Sequence, residues 1–362
     1  MKPLPVVLIG AGHLGRIHAK LLGSLGSVRL VAVAEPCAEA RQQVETERKV
    51  RTVSDYREVM GDMEAAIVAT PTVCHFPIAS DLLRSGIHVF CEKPLTPDAQ
   101  QADQLTQLAR QQGLILQVGH VERFNPAWQS ALRHLKHPRY IEATRQGTYT
   151  FRSTDVSIVL DLMIHDIDLV LSIVRSDVIQ VQAFGAAVFG PYEDFAHVRL
   201  SFANGCAANL TASRVRSNAE RSMEVITDDA CVSLDFAQRK ASLMRVVPAA
   251  RSLEASSLSF RDKETIRERL FNDWLPTREL PVATTNPLLE EQIDFVRSVR
   301  NQTRPVVSGE DARDALAIAD RIIASIRTSS DSRGPSVKPA EFDSIPFWPA
   351  DTSTHDGHRK AG

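Results

Sequence analysis

Residues 4–22 read as a strand, a glycine-rich turn and a helix: Leu4 to Ile9, then Gly10-Ala-Gly12-His13-Leu14-Gly15, then Arg16 to Leu22. An apolar β-run that passes directly into G-x-G-x-x-G and on into a helix leaves few folds open, because each glycine answers a steric demand of one tight turn. Gly10 permits the turn, Gly12 lets backbone N–H groups approach a pyrophosphate, and Gly15 lets helix and strand pack closely. By itself the motif also fits a glycine turn with no ligand. Here its context is complete, with an acid about twenty residues on, Glu35, at the end of a second apolar run, Val28 to Ala34.

The alternation continues through Ala65 to Ala69, His88 to Phe90 and Leu114 to Val118, each run flanked by an amphipathic helical pattern. Repeated βα units imply a doubly wound parallel sheet, an N-terminal Rossmann domain over 1–122 within an α/β protein. In such sheets ligands lie beyond the carboxyl ends of the strands. The candidate cofactor residues are therefore Gly10, Gly12, His13, Leu14, Gly15 and Glu35, then Thr70, Pro71, Thr72 and, at the periphery, His75, and finally Glu92 and Lys93. Helix capping is an equal reading for Thr72, and a structural role is an alternative for His75. Glu35 can accept from ribose hydroxyls and repel a 2′-phosphate, and Pro36 and Cys37 offer that phosphate no basic or hydroxyl partner. NAD is expected over NADP.

A second constraint lies in 156–174, apolar nearly all round, where Asp161, His165 and Asp168 fall at i, i+4 and i+7 and would share one helix face. Polar groups in so apolar a segment persist with partners or with a chemical task. Asp161, Asp166, Asp168 and His165 also argue against a membrane span. A net charge of −2 gives no electrostatic case for nucleic acid or an anionic membrane. Five widely spaced cysteines, none in a Cys-x-x-Cys pair, fit neither a disulfide framework nor a zinc site. A reduced, cytoplasmic protein acting on a small molecule is expected, without metal.

The fifth apolar run ends in Glu92-Lys93-Pro94, and with Gly10-Ala-Gly12, Asp161-Leu-Met-Ile-His165-Asp-Ile-Asp168, Pro287-Leu-Leu and Ser308-Gly-Glu-Asp311 the chain resembles the Gfo/Idh/MocA family of NAD(P)-dependent oxidoreductases over nearly its whole length. Met163 departs from the family, which usually has glycine there. The resemblance implies that Lys93, Asp161 and His165 form the catalytic set. His165 would serve as general base, Lys93 would polarise the developing alkoxide, and a nicotinamide would take the hydride, so no metal is called for. Gly119-His120-Val-Glu122-Arg123-Phe-Asn125-Pro-Ala127 is further similar to the branch containing bacterial UDP-N-acetylglucosamine 3-dehydrogenases. That branch implies a sugar-nucleotide substrate, a 3-keto product used for lipid A precursors and functional coupling to a sugar aminotransferase. Lys93, Arg123, Asn125, Asp161 and His165 are the candidate substrate contacts, with a structural role an equal reading for Arg123 and Asn125, and Asp168 is expected to secure its helix. Other sugar or inositol dehydrogenases, a biliverdin-reductase-like activity and a non-catalytic NAD- and sugar-sensing regulator remain alternatives.

Strand-like runs between Tyr140 and Leu234 surround the His165 segment and suggest a C-terminal α+β domain, 123–330, with an open, largely antiparallel sheet. The resemblance implies a homodimer or homotetramer built on that sheet, and two C-terminal helices returning to the Rossmann domain. Residues 248–284 are expected near the substrate mouth, and 331–362 as a poorly ordered tail.

Overall fold

The computed structural model describes residues 2–151, 156–189 and 191–331, so the expected tail lies, beyond residue 331, outside the described residues. The first sheet comprises β1 (Leu4–Ile9), β2 (Val28–Ala34), β3 (Thr52–Val53), β4 (Ala65–Val68), β5 (His88–Cys91) and β6 (Leu116–Val118). All pairings are parallel, in the order β3-β2-β1-β4-β5-β6, which is the dinucleotide-binding arrangement with its crevice beside β1 and β4. Continuous apolar runs suit strands covered on both faces: Val6, Val7, Leu8, Ala65, Ala66, Ile67 and Val68 are all fully buried. The helices α1 (His13–Leu22), α2 (Ala38–Arg48), α3 (His75–Arg84) and α4 (Ala99–Gln112) supply that cover.

After a short α5 (Pro126–Ala131) the chain enters the second sheet: β7 (Tyr140–Gln146), β8 (Val178–Ala186), β9 (Phe195–Phe202), β10 (Ala207–Ser213), β11 (Glu220–Ile226), β12 (Ala230–Asp235), β13 (Lys240–Arg245) and β14 (Thr277–Glu279). Their order is β14-β13-β12-β11-β7-β10-β9-β8, and every pair is antiparallel except β7 with β10. Alternation of buried and exposed residues, clearest in β9 and β11, gives the sheet one face toward the core and one toward solvent.

The segment expected as one helix is two: a π-helical turn over Val159–Met163 and then α6 (Ile164–Val174). Each π turn inserts a residue relative to the α spacing, so the face shared by Asp161, His165 and Asp168 is broken between the first and the second. Beyond β13, α7 (Pro248–Arg251) and α8 (Phe260–Glu268) are largely exposed, and β14 extends the sheet edge. Two long helices, α9 (Pro287–Asn301) and α10 (Gly309–Asp331), return to the Rossmann sheet. Phe295 of α9 packs edge-on against Phe90 of β5, and Asp320 of α10 accepts from the Ala99 N–H at the start of α4.

Candidate active site

The glycine turn is shaped as a backbone cradle. A Cβ at Gly10, whose φ is +98°, would lie 2.4 Å from the Ala69 carbonyl oxygen, and one at Gly15 would lie 2.1 Å from the Gly10 oxygen. A Cβ at Gly12 would meet nothing within 4 Å, so this glycine keeps clear the space a ligand would enter. No side chain caps the first turn of α1, whose N–H groups remain available to an anion. At the end of β2, Glu35 is oriented by the N–H groups of Ala11 (2.8 Å) and Cys37 (3.0 Å). Gly10, Gly12 and Glu35, with His13, Leu14, Thr70 and Pro71, line a cavity of about 790 Å³. Thr70 Oγ1 is buried without a hydrogen-bond partner, an orphan that a cofactor hydroxyl or amide would satisfy. The cradle, the oriented carboxylate and the orphan hydroxyl fit a dinucleotide.

Not every expected cofactor residue joins this cavity. Gly15 stands behind it, and Thr72 lies off its wall in a short turn before α3. His75 is buried, its ring nitrogens bonded to the carbonyls of Pro94 (2.9 Å) and Thr70 (2.8 Å), so it braces the two loops rather than facing a ligand. Burial, outweighing these carbonyls, lowers its pKa below 6.5. One cation went unforeseen: Arg41, one turn into α2, donates to the carbonyls of Glu35 (2.7 Å) and Pro36 (2.8 Å).

Leu14 also lines a second cavity, of about 420 Å³, which contains Lys93 and His165. Lys93 emerges at the carboxyl end of β5, before a cis peptide to Pro94, and its Nζ donates to the Asp161 carbonyl at 2.7 Å, with the Asp161 carboxylate 3.6 Å away. Asp161 thus holds the lysine chiefly through its backbone, and no hydrogen bond joins it to the imidazole. His165 is half-buried, and its Nδ1 is sealed from solvent without a partner. Burial first, and then Lys93, Arg145, His120 and Arg221, hold its pKa well below 6.5, so the ring is neutral and able to accept a proton. His120 packs edge-to-face on His165 at 6.1 Å and is also buried with an unpartnered Nδ1. Its place just past β6, at the carboxyl edge of the parallel sheet, was the signal that could have marked it.

Residues 4–120 match the family described as "Oxidoreductase family, NAD-binding Rossmann fold", and residues 129–233 match the GFO/IDH/MocA C-terminal domain. The UDP-N-acetylglucosamine 3-dehydrogenase of Acidithiobacillus ferrooxidans is 35% identical over 267 residues, 70% of this chain and 83% of that protein. The chain belongs to the GFO/IDH/MocA family. The solved structure of UDP-N-acetylglucosamine 3-dehydrogenase GnnA from the same organism superposes with a TM-score of 0.80 at 28% identity, over 91% of this chain and 99% of that one. An inositol 2-dehydrogenase of Rhizobium meliloti is 25% identical over 333 residues, 88% of this chain and 96% of that protein.

In this GFO/IDH/MocA chain, ion pairs behind the cavity hold the His165 helix. Arg123 grips the buried Asp168 in a fork, at 2.7 and 3.0 Å, so the expected helix-securing role of Asp168 is seen directly. The same bonds favour the structural reading of Arg123, whose guanidinium is engaged internally. Asn125, also expected at substrate, caps α5 by accepting from the Ala127 N–H and donates to Glu122 (2.9 Å) and to the Phe236 carbonyl (3.2 Å). It borders the cavity with its polar atoms already used. Arg145 of β7, which sequence reasoning missed, bridges Asp166 (2.8 Å) and Glu122 (2.8 Å). Burial raises the Asp166 pKa, and the adjacent guanidinium opposes that rise.

Glu92, expected at the cofactor, also turns away from it. One oxygen bonds His18 of α1 at 2.7 Å, and the other accepts from the Lys93 N–H at 3.2 Å. Behind them Gln292 of α9 bonds the other His18 ring nitrogen at 2.7 Å. Glu291 brings a fully buried carboxyl into the same group, with atoms of His18, Glu92 and Glu291 all within 4.8 Å. Burial and then the neighbouring Glu92 push its pKa well up, favouring the neutral acid over a second buried negative charge. The glycine-turn helix, the lysine turn and α9 are thereby tied at one point. Residues 248–284, expected near the substrate mouth, contribute nothing to the lining of the Lys93 and His165 cavity; the next residues along the chain, Asn286, Pro287 and Leu288, do.

Proposed function

We propose that this NAD-binding oxidoreductase oxidises a secondary hydroxyl of a sugar nucleotide to a ketone, with position 3 of UDP-N-acetylglucosamine as the working substrate. The observation that carries this reading is the apposition of Lys93 and a neutral His165 in one cavity that meets the glycine cradle at Leu14. Bound NAD supplies the hydride acceptor. His165 takes the hydroxyl proton, a task for which its lowered pKa keeps it unprotonated at neutral pH. Lys93 Nζ, fixed by the Asp161 carbonyl, stabilises the oxygen as it gains negative charge. Glu35 bonds the adenosine ribose and disfavours a 2′-phosphate.

The sugar nucleotide is supported by likeness to the 3-dehydrogenase of Acidithiobacillus ferrooxidans, by 35% identity over 83% of that protein. Likeness to an inositol dehydrogenase supports a free polyol as the second reading. A non-catalytic sensor would have no need of the Lys93 and His165 pairing. Exposed Ile179, Phe184 and Ile226 on the second sheet support assembly of two or more copies. The test is NADH formation at 340 nm from UDP-N-acetylglucosamine, other UDP-sugars, free N-acetylglucosamine and inositols, with an aminotransferase present to consume the ketone. Turnover confined to UDP-N-acetylglucosamine is expected; turnover of inositols with silence on every UDP-sugar would replace this reading by the second.

A further inference from the structure

The cavity that holds Lys93 and His165 carries two more cations than hydride transfer requires. Arg221 of β11 and Arg239, at the end of the β12–β13 turn, both line it, and both are solvent-exposed where Lys93 and His165 are half-buried. The lysine and the histidine therefore form the floor and the arginines the mouth. Arg221 shares a sheet face with Met223 and Val225, which are buried, so its side chain leaves the sheet on the core side.

Its cross-strand neighbour on β7 is another arginine, Arg145. Like charges directly opposite are unfavourable unless each finds a counter-charge. Arg145 has two, Asp166 and Glu122. Arg221 has no carboxylate partner among the described residues, and Arg239 makes one bond, to the Thr285 carbonyl at 3.2 Å. The acids in the cavity wall cannot serve, since Glu92 is bonded to His18 and Glu122 to Arg145. Asp166 feels the charge of Arg221 but is itself forked by Arg145, so the cavity presents guanidinium groups that no carboxylate pairs at its rim, the donor type best matched to phosphate oxygens.

We propose that Arg221 and Arg239 bind the diphosphate of the substrate at the cavity mouth and so select sugar nucleotides over free sugars and polyols. This rests on the sugar-nucleotide reading and gives it a residue-level cause. A free inositol would fill the floor and leave both guanidinium groups without an anion. A nucleoside diphosphate sugar reaches both levels, its ring against Lys93 and His165 and its phosphates between the arginines.

Two readouts test this on the NAD-loaded enzyme: calorimetric binding of UDP, and KM for UDP-N-acetylglucosamine, in wild type, Arg221→Ala, Arg239→Ala and Arg221→Lys. Each alanine variant is expected to weaken UDP binding and raise KM tenfold or more with a much smaller change in kcat, and the lysine variant to recover part of the loss. Unchanged UDP affinity in both alanine variants, or no UDP binding by the wild type, overturns the assignment. If the wild type turns over UDP-N-acetylglucosamine and the variants match it, only the arginine assignment fails. If UDP binding depends on the arginines while no UDP-sugar is oxidised, the assignment stands and the substrate reading fails.

Discussion

The two cavities that meet at Leu14 are built by opposite means. The cofactor cavity has a backbone cradle at its heart: Gly10 and Gly12 on its wall with Gly15 packed behind, a helix start without a side-chain cap, and one carboxylate oriented by two N–H groups. The Lys93 and His165 cavity is assembled from seven separate segments: α1, the turn after β5, the loop after β6, α6, β11, the β12–β13 turn and the start of α9. Behind it lies the buried network of Arg145 with Asp166 and Glu122. A backbone cradle is encoded by local spacing and tolerates change around it. A side-chain cavity depends on long-range register, and its chemistry concentrates in a few atoms.

The contrast predicts that single truncations act most severely on the side-chain cavity. His165→Ala and Lys93→Ala should each lower kcat by about 10² to 10⁴, the usual worth of a positioned acid–base group, while NAD binding followed by fluorescence persists. A variant of either that keeps more than a tenth of the wild-type rate removes that residue from the chemistry. The cradle predicts a different division. Gly15→Ala, with its Cβ 2.1 Å from a backbone oxygen, should lower Tm, whereas Gly12→Ala has room in the folded chain and should keep Tm while losing NAD affinity. Parallel thermal melts and NAD titrations separate the two, and equal Tm losses would show that Gly12 is packed rather than kept open.

The same contrast governs how much could be read from sequence. The β1 and β2 bounds, Leu4–Ile9 and Val28–Ala34, follow from apolar runs and match the structure, and the glycine roles follow from spacing. The two-residue β3 carries too little pattern to be read, β13 lies past the last strand-like run, which ends at Leu234, and the three-residue β14 falls within 248–284, where no strand pattern stands out. In the second domain the polar residues of 156–174 were legible as a cluster, and Lys93 and His165 do meet at one cavity. The π turn was not legible, because a segment apolar all round has no face against which a one-residue insertion shows. Residue type alone left Arg123 and Asn125 evenly poised between substrate and a structural role. Only the fold reveals that Asp168 and the start of α5 already use them. Arg145 and Arg221 needed the β7–β11 register before one could be recognised as neutralised and the other as not.

The central claim, that a neutral His165 in the cavity takes the substrate proton, is tested most directly by the pH dependence of kcat/KM, which reports the free enzyme. Burial, Lys93, Arg145, His120 and Arg221 all disfavour the imidazolium, so the folded-state pKa lies below 6.5 and the ring remains a base as the medium turns mildly acidic. The acid limb should therefore have its midpoint clearly below pH 6.5 and be absent from the residual activity of His165→Ala. A midpoint at or above pH 6.5, or the same limb in the variant, would contradict the account.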